Sequence, residues 1–150
     1  WPPGRAAALI DALAQRGERI ALAGAPDERE LALVAEIRGR ASARFADLSG
    51  RLTLKQLAAL SARAKLFIGV DSAPMHIAAA VRTPVVALFG PSGELEWGPW
   101  RVPHRVVAST AHACRPCGND GCGGGKVSEC LTLLPVERVL SAINELLAQP

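Results

Sequence analysis

Residues 69–76 read Gly-Val-Asp-Ser-Ala-Pro-Met-His and stand between two apolar runs. An acid, a hydroxyl, a proline and a histidine this close together, where a buried strand meets a helix, suit the binding of an anion. The N-terminus of a helix presents free backbone N–H groups and a partial positive charge, and Pro74 gives up only an N–H that the helix does not use. A phosphate is the natural guest. Asp71 and Ser72 each also read as a helix cap, and His76 also reads as a hydrogen-bonded core histidine. A second polar turn, Leu-Phe-Gly-Pro-Ser-Gly-Glu-Leu-Glu-Trp-Gly-Pro-Trp over 88–100, follows another apolar run. Two such turns on one sheet edge bound a cleft.

Cys114, Cys117, Cys122 and Cys130 form a second constellation, spaced C-x2-C-x4-C-x7-C with His112 adjacent and a glycine-rich stretch at 121–125. Thiols so close together can hold zinc tetrahedrally, and the glycines let the chain wrap an ion. The spacing matches neither a zinc finger nor a ribbon, and a cytosolic origin argues against stable disulfides. Zinc, free thiols and disulfides formed after purification all remain open.

The elements that must position these groups alternate along the chain. Residues 2–17 predict a helix with prolines at its start, apolar Ala6, Leu9, Ile10 and Leu13 at helical spacing, and Gly17 as its stop. Residues 19–24 read as a short buried strand, 25–40 as a helix with acids in its first turn, and 43–50 as a weak strand. Thr53 caps an amphipathic helix over 53–64, and the apolar run 65–70 reads as a strand buried on both faces. A helix from about Pro74 to Val81, a strand over 84–90 and a last helix from Pro135 to Leu147 complete the pattern. Such alternation predicts an α/β fold, a Rossmann-like parallel sheet with helices on both faces. Ligands of such sheets sit beyond the carboxyl ends of the strands, where residues 69–76 fall.

Composition narrows the function classes. At 150 residues and 49% hydrophobic, one compact domain with a sizeable core is the default. A net charge of +3 spread along the chain, with no tyrosine and few phenylalanines, speaks against nucleic acid as a partner. No apolar run reaches the length of a membrane span and the N-terminus lacks signal-peptide regions, so the chain reads as soluble and cytoplasmic.

Residues 51–100, with their D-S-x-P-M-H and T-P-V-V-A-L-F-G-P elements, resemble the C-terminal half of the ADP-heptose:lipopolysaccharide heptosyltransferases, the family 9 glycosyltransferases. The likeness extends through residues 1–17 and 22–32, and the cysteine-containing tail at 114–131 is most like the heptosyltransferase III branch. The resemblance implies the GT-B arrangement of two Rossmann-like domains facing a cleft, with this chain as the nucleotide-sugar domain and the N-terminal acceptor domain absent from it. It implies an inverting transfer of heptose from ADP-heptose to the lipopolysaccharide inner core, at the cytoplasmic face of the inner membrane with peripheral contact there.

Residue by residue, the resemblance puts Asp71, Ser72 and Ala73 where the family contacts the donor diphosphate, with His76 one turn further along. An Asp beside a diphosphate repels it, so Asp71 is expected to accept bonds from backbone N–H groups or heptose hydroxyls. Ala73 replaces the family's usual glycine. Glu28 falls where a family carboxylate accepts from the ribose hydroxyls, and equally reads as an acid complementing a helix dipole. Leu52 falls where an apolar residue packs on adenine, and equally reads as core. No catalytic residue is assigned, because the family's base and acceptor surface lie in the N-terminal domain; this chain alone is expected to be inactive. A basic residue that pairs with the phosphates stands just upstream of the family's Trp-Pro, where this chain begins, and weak donor binding is the expectation. No cofactor and no divalent metal are implied, since a helix N-terminus and cations neutralise the leaving diphosphate. The alternative is a Rossmann-like interaction module carrying a zinc-bound cysteine loop; an epimerase of the same shape lacks the catalytic acids it would need.

Overall fold

The computed structural model describes residues 1–148. Two compact units divide the chain, Trp1–Leu57 and a second from Ala58 onward. Each is built on parallel strands followed by helices.

In the first unit, α1 (Pro3–Gln15) and α2 (Glu28–Arg40) pack together beside a parallel pair, β1 (Ala21–Leu22) and β2 (Ala46–Asp47). Ala7 and Ile10 of α1 and Ile37 of α2 form its core, joined by half-buried Ile20, Leu22 and Phe45. The predicted stop is present: Gly17 takes φ +79° while its N–H bonds Ala14 O and that of Glu18 bonds Leu13 O. That pair of bonds closes the helix, and the left-handed residue it requires is one that glycine adopts without penalty. Asp11 then fastens the chain after α2, accepting from the N–H groups of Ser42 (2.9 and 3.1 Å) and Ala43 (2.8 Å). Those backbone bonds hold its carboxyl below the usual carboxylate range. Helix α3 (Leu54–Ala62) opens with the expected cap. Thr53 Oγ1 accepts from Gln56 N at 3.3 Å while Gln56 Oε1 accepts from Thr53 N at 2.9 Å, a reciprocal capping box.

The second unit carries a parallel sheet in the order β3 (Phe67–Val70), β4 (Val85–Phe89), β5 (His104–Ala108). Central β4 is the strand buried on both faces; β3, expected to be so, is half-buried because it lies at the sheet's edge. Val85, Ala87 and Phe89 pack with Met75, Ala78 and Ala79 of α4 (Ala73–Ala80). Alternation along the strand turns Val86 and Leu88 the other way, and α7 (Val136–Leu147), which packs on β4 and β5, shares none of the α4 cluster. Helices thus cover both faces of this sheet. Strand β5 and the short helices α5 (Glu94–Trp97) and α6 (Glu129–Thr132) are additions to the sequence reading. Among the described residues, no helix is long and apolar enough to cross a membrane.

Candidate functional site

Strand β3 ends at Val70 and α4 begins at Ala73, so Asp71 and Ser72 alone make the turn. Asp71 N–H still donates to Leu88 O at 3.2 Å, extending the β3–β4 ladder by one bond before the chain leaves the sheet. Ser72 is the N-cap residue, but its hydroxyl donates back to Val70 O at 3.2 Å and makes no bond to the helix. The capping reading of Ser72 is therefore corrected in its chemistry: the residue caps by position, not by side chain. Pro74 occupies the first turn, and exposed Ala73 stands at the tip. Asp71 is mostly buried, and its Oδ1 lies 3.6 Å from Nε2 of His76, whose side chain is 43% exposed. His76 is thus on the surface of α4, not in the core. Asp71, Ser72, Ala73 and His76 are brought together on one sheet edge.

The second turn leaves β4 beside the first, because β3 and β4 are parallel neighbours with Val70 opposite Leu88. Its shape is fixed by Arg115, which sequence reasoning missed. That side chain is only 7% exposed, with Nε donating to Gly90 O at 2.5 Å and guanidinium nitrogens reaching Ser109 O (3.3 Å), Ser92 O (3.5 Å) and Glu94 Oε2 (2.9 Å). Its partners are mostly backbone carbonyls, which leave no mark in a sequence. Beyond this turn the side chains of Leu95, Trp97 and Trp100 are largely exposed, and the Arg101 guanidinium lies 5.2 Å from the Trp100 ring centroid.

Glu28 and Leu52 belong to the first unit. They follow the carboxyl ends of adjacent parallel strands β1 and β2, whose loops stay paired through Leu48 N–H to Leu22 O (2.9 Å) and Gly50 N–H to Gly24 O (3.0 Å). The acids around Glu28 divide the work. Asp27 caps α2 by accepting from Glu30 N at 3.0 Å, and Glu30 Oε2 accepts from Ala25 N at 2.6 Å. Glu28, first residue of the helix, is exposed, and its side chain makes no hydrogen bond or ion pair among the described residues. Leu52 is half-buried in the turn before α3.

All four cysteines are free thiols, exposed at Cys114, Cys117 and Cys122 and buried at Cys130. Burial pushes the Cys130 thiol up, and the nearby Arg115 charge opposes that rise. Among the described residues, no group of three or more His, Cys, Asp or Glu side chains stands at metal-ligand spacing.

The chain is similar to known proteins in sequence and in fold. Residues 1–127 match the family described as Glycosyltransferase family 9 (heptosyltransferase). The chain is 37% identical over 150 residues to lipopolysaccharide heptosyltransferase 3 of Escherichia coli K12, covering 99% of this chain and 43% of that protein. A second Escherichia coli lipopolysaccharide heptosyltransferase 3 is 46% identical over 101 residues, 67% of this chain and 30% of that protein. In three dimensions the chain is similar to the Escherichia coli ADP-heptose lipopolysaccharide heptosyltransferase II, with a TM-score of 0.79 at 27% identity over 98% of this chain and 41% of that one. A family 9 glycosyl transferase from Veillonella parvula superposes with a TM-score of 0.81 at 26% identity, over the same shares of the two chains. The chain spans less than half the length of these relatives.

Proposed function

Since the chain belongs to glycosyltransferase family 9, the heptosyltransferases, we propose that it is the donor-binding part of an inverting enzyme that transfers heptose from ADP-heptose to the lipopolysaccharide inner core. The observation that carries this reading is the β3–α4 turn, where an exposed helix start meets a mostly buried acid at the carboxyl edge of a parallel sheet. In this reading the N-terminal N–H groups of α4 take the diphosphate and stabilise the charge that grows on it as ADP leaves. Asp71 accepts from heptose hydroxyls, and His76, when protonated, pairs with Asp71 or with a phosphate oxygen. Glu28 accepts from the ribose and Leu52 packs on adenine. The base that deprotonates the acceptor hydroxyl, and the acceptor surface, come from an N-terminal domain outside this chain. The enzyme works in the cytoplasm, at the inner-membrane face where its acceptor lies.

The curated relatives favour this enzyme over an interaction module, since those named above are heptosyltransferases. Heptose transfer from ADP-heptose to a core lipopolysaccharide lacking that heptose, by the full-length protein, is the direct test. No transfer to any inner-core acceptor overturns the reading.

Donor binding has a sharper signature. ADP should bind with EDTA present, because helix N–H groups and not Mg²⁺ face the diphosphate. Amide resonances of residues 69–76 are expected to shift on titration; shifts confined to other segments would move the site elsewhere.

Glu28→Ala separates its two roles. As a dipole-complementing charge alone, Glu28 contributes well under about 1 kcal/mol to stability and nothing to nucleotide affinity. As a ribose acceptor, its loss weakens ADP by about 1.5–3 kcal/mol, tenfold or more. The loss shrinks with 2′-deoxy-ADP, which brings one donor fewer. Calorimetric titration of both nucleotides into both proteins decides: equal losses remove the 2′-hydroxyl from the contact, and unchanged affinity for both nucleotides returns Glu28 to a purely structural role.

A further inference from the structure

Four thiols that donor binding does not use face a common space. Cys114, Cys117, Cys122 and Cys130, with Pro91 and Ser128 among the other lining residues, surround a cavity of about 220 Å³ in the second unit. We infer that these four cysteines form a tetrathiolate zinc site that fastens the 114–130 loop to the turn after β4.

The ligand set points to the ion. Four sulfurs suit tetrahedral zinc over the amide and hydroxyl oxygens of Asn119 and Ser128 that share the lining, and Cys114-x2-Cys117 has the spacing of a structural site's ligand pair. The nearby imidazole and carboxylate are otherwise engaged: His112 Nδ1 lies 2.6 Å from Ser109 Oγ, and Asp120 pairs with Lys126 at 2.8 Å.

The loop is built to close around such an ion. Cys130 is anchored in α6 at 2% exposure and is the fixed ligand, while the other three ride on exposed chain. Gly121 (φ +99°) marks the tightest bend, where any side chain would strike the Gly125 carbonyl. Around it, the Cys122 N–H donates to Val127 O and the Gly125 N–H to Cys122 O, both at 2.9 Å. The thiols face the cavity without yet standing at ligand spacing. Closure therefore belongs to the binding step, as in structural zinc sites whose binding energy is folding energy. Four S–H protons leave to solvent as four Zn–S bonds form, and the product carries two negative charges.

Arg115, set between the first two cysteines, supplies a buried positive charge against that excess. The same residue grips Gly90, Ser92 and Glu94, and the N–H groups of Cys117 and Gly118 donate to Pro91 O at 3.1 and 3.0 Å. An ion that clamps Cys114 and Cys117 thereby clamps the turn after β4.

The test is metal content and coordination in the full chain, purified without chelator from zinc-replete cells. One zinc per chain is expected. Cobalt reconstituted into the apo protein should give the intense visible d–d bands and sulfur-to-cobalt charge transfer of a tetrahedral thiolate site. Loss of a supporting contact around a ligand already costs about 10–100-fold in metal affinity, so Cys114→Ser and Cys117→Ser should each weaken zinc by at least about 100-fold. Both positions are exposed, so these variants keep the test intact where a Cys130 variant fails to fold. A chain without stoichiometric zinc, or a Cys114→Ser/Cys117→Ser variant that retains it undiminished, overturns the proposal. Zinc without ADP binding leaves this site standing and sinks the donor reading; ADP binding without zinc does the reverse.

Discussion

Arg115→Ala should destabilise the second unit by about 3 kcal/mol or more. Removing one member of a buried ion pair costs about 3–5 kcal/mol when the partner is left buried and charged. Glu94 is one-third exposed, so water takes up part of its abandoned charge and the lower end of the range applies. The backbone carbonyls of Gly90, Ser92 and Ser109 lose donors in the same step, and a buried acceptor left unpaired costs about 1–3 kcal/mol. Arg115→Lys keeps the charge but not the planar fork that reaches several acceptors at once, and should recover only part of the loss. Glu94→Gln keeps a hydrogen-bond acceptor for Arg115 but leaves its buried charge without a counter-charge, and should cost less than Arg115→Ala without being neutral. Denaturant unfolding followed by circular dichroism gives the differences. If Arg115→Ala unfolds within about 0.5 kcal/mol of the parent, the guanidinium does not hold the turn.

The contrast between Arg115 and the β3–α4 turn explains what could be read from the sequence. Residues 71–76 were legible because polar side chains stand out between apolar runs, and because a proline marks the first turn of a helix. Gly17 and Thr53 were legible for a similar reason: a left-handed stop and a capping box demand particular residue types. Strand β5 was not. It opens with His104 and Arg105 directly after Pro103, and its strand character comes from pairing with β4, a tertiary fact. The exchange of burial between β3 and β4 has the same origin, since Phe-Ile-Gly-Val and Val-Val-Ala-Leu-Phe are both apolar and only the strand order decides which is central. Within the candidate site, the position of Ser72 followed from the sequence, but the choice of its hydroxyl between the helix and Val70 O depends on the local backbone. The cysteines were visible as a set; their common cavity was not, because folding supplies Pro91 from another strand's end.

Charge at position 73 should move stability and donor affinity in opposite directions. Ala73 is the first residue of α4, exposed, in a helix whose start receives no side-chain cap and carries no acid in its first turn. Ala73→Glu places a carboxylate against the positive end of the helix, which stabilises it by about 0.3–1 kcal/mol. The same carboxylate would stand within a few ångströms of a bound diphosphate. Two unit charges about 4 Å apart repel by about 1 kcal/mol in water and about 4 kcal/mol near a protein surface, so ADP should weaken by about 1–4 kcal/mol, roughly fivefold to several hundredfold. Ala73→Lys reverses both signs, with a small loss of stability and unchanged or tighter ADP binding. Ala73→Gly adds no charge and removes the methyl group nearest the approaching phosphate, and should bind ADP at least as well as the parent. Thermal unfolding gives the first quantity and calorimetric titration of ADP at low salt the second; raising the salt should shrink the Glu and Lys effects together. A purely structural turn would show the stability changes alone. If ADP binds parent, Ala73→Glu and Ala73→Lys equally, the diphosphate does not sit at the start of α4.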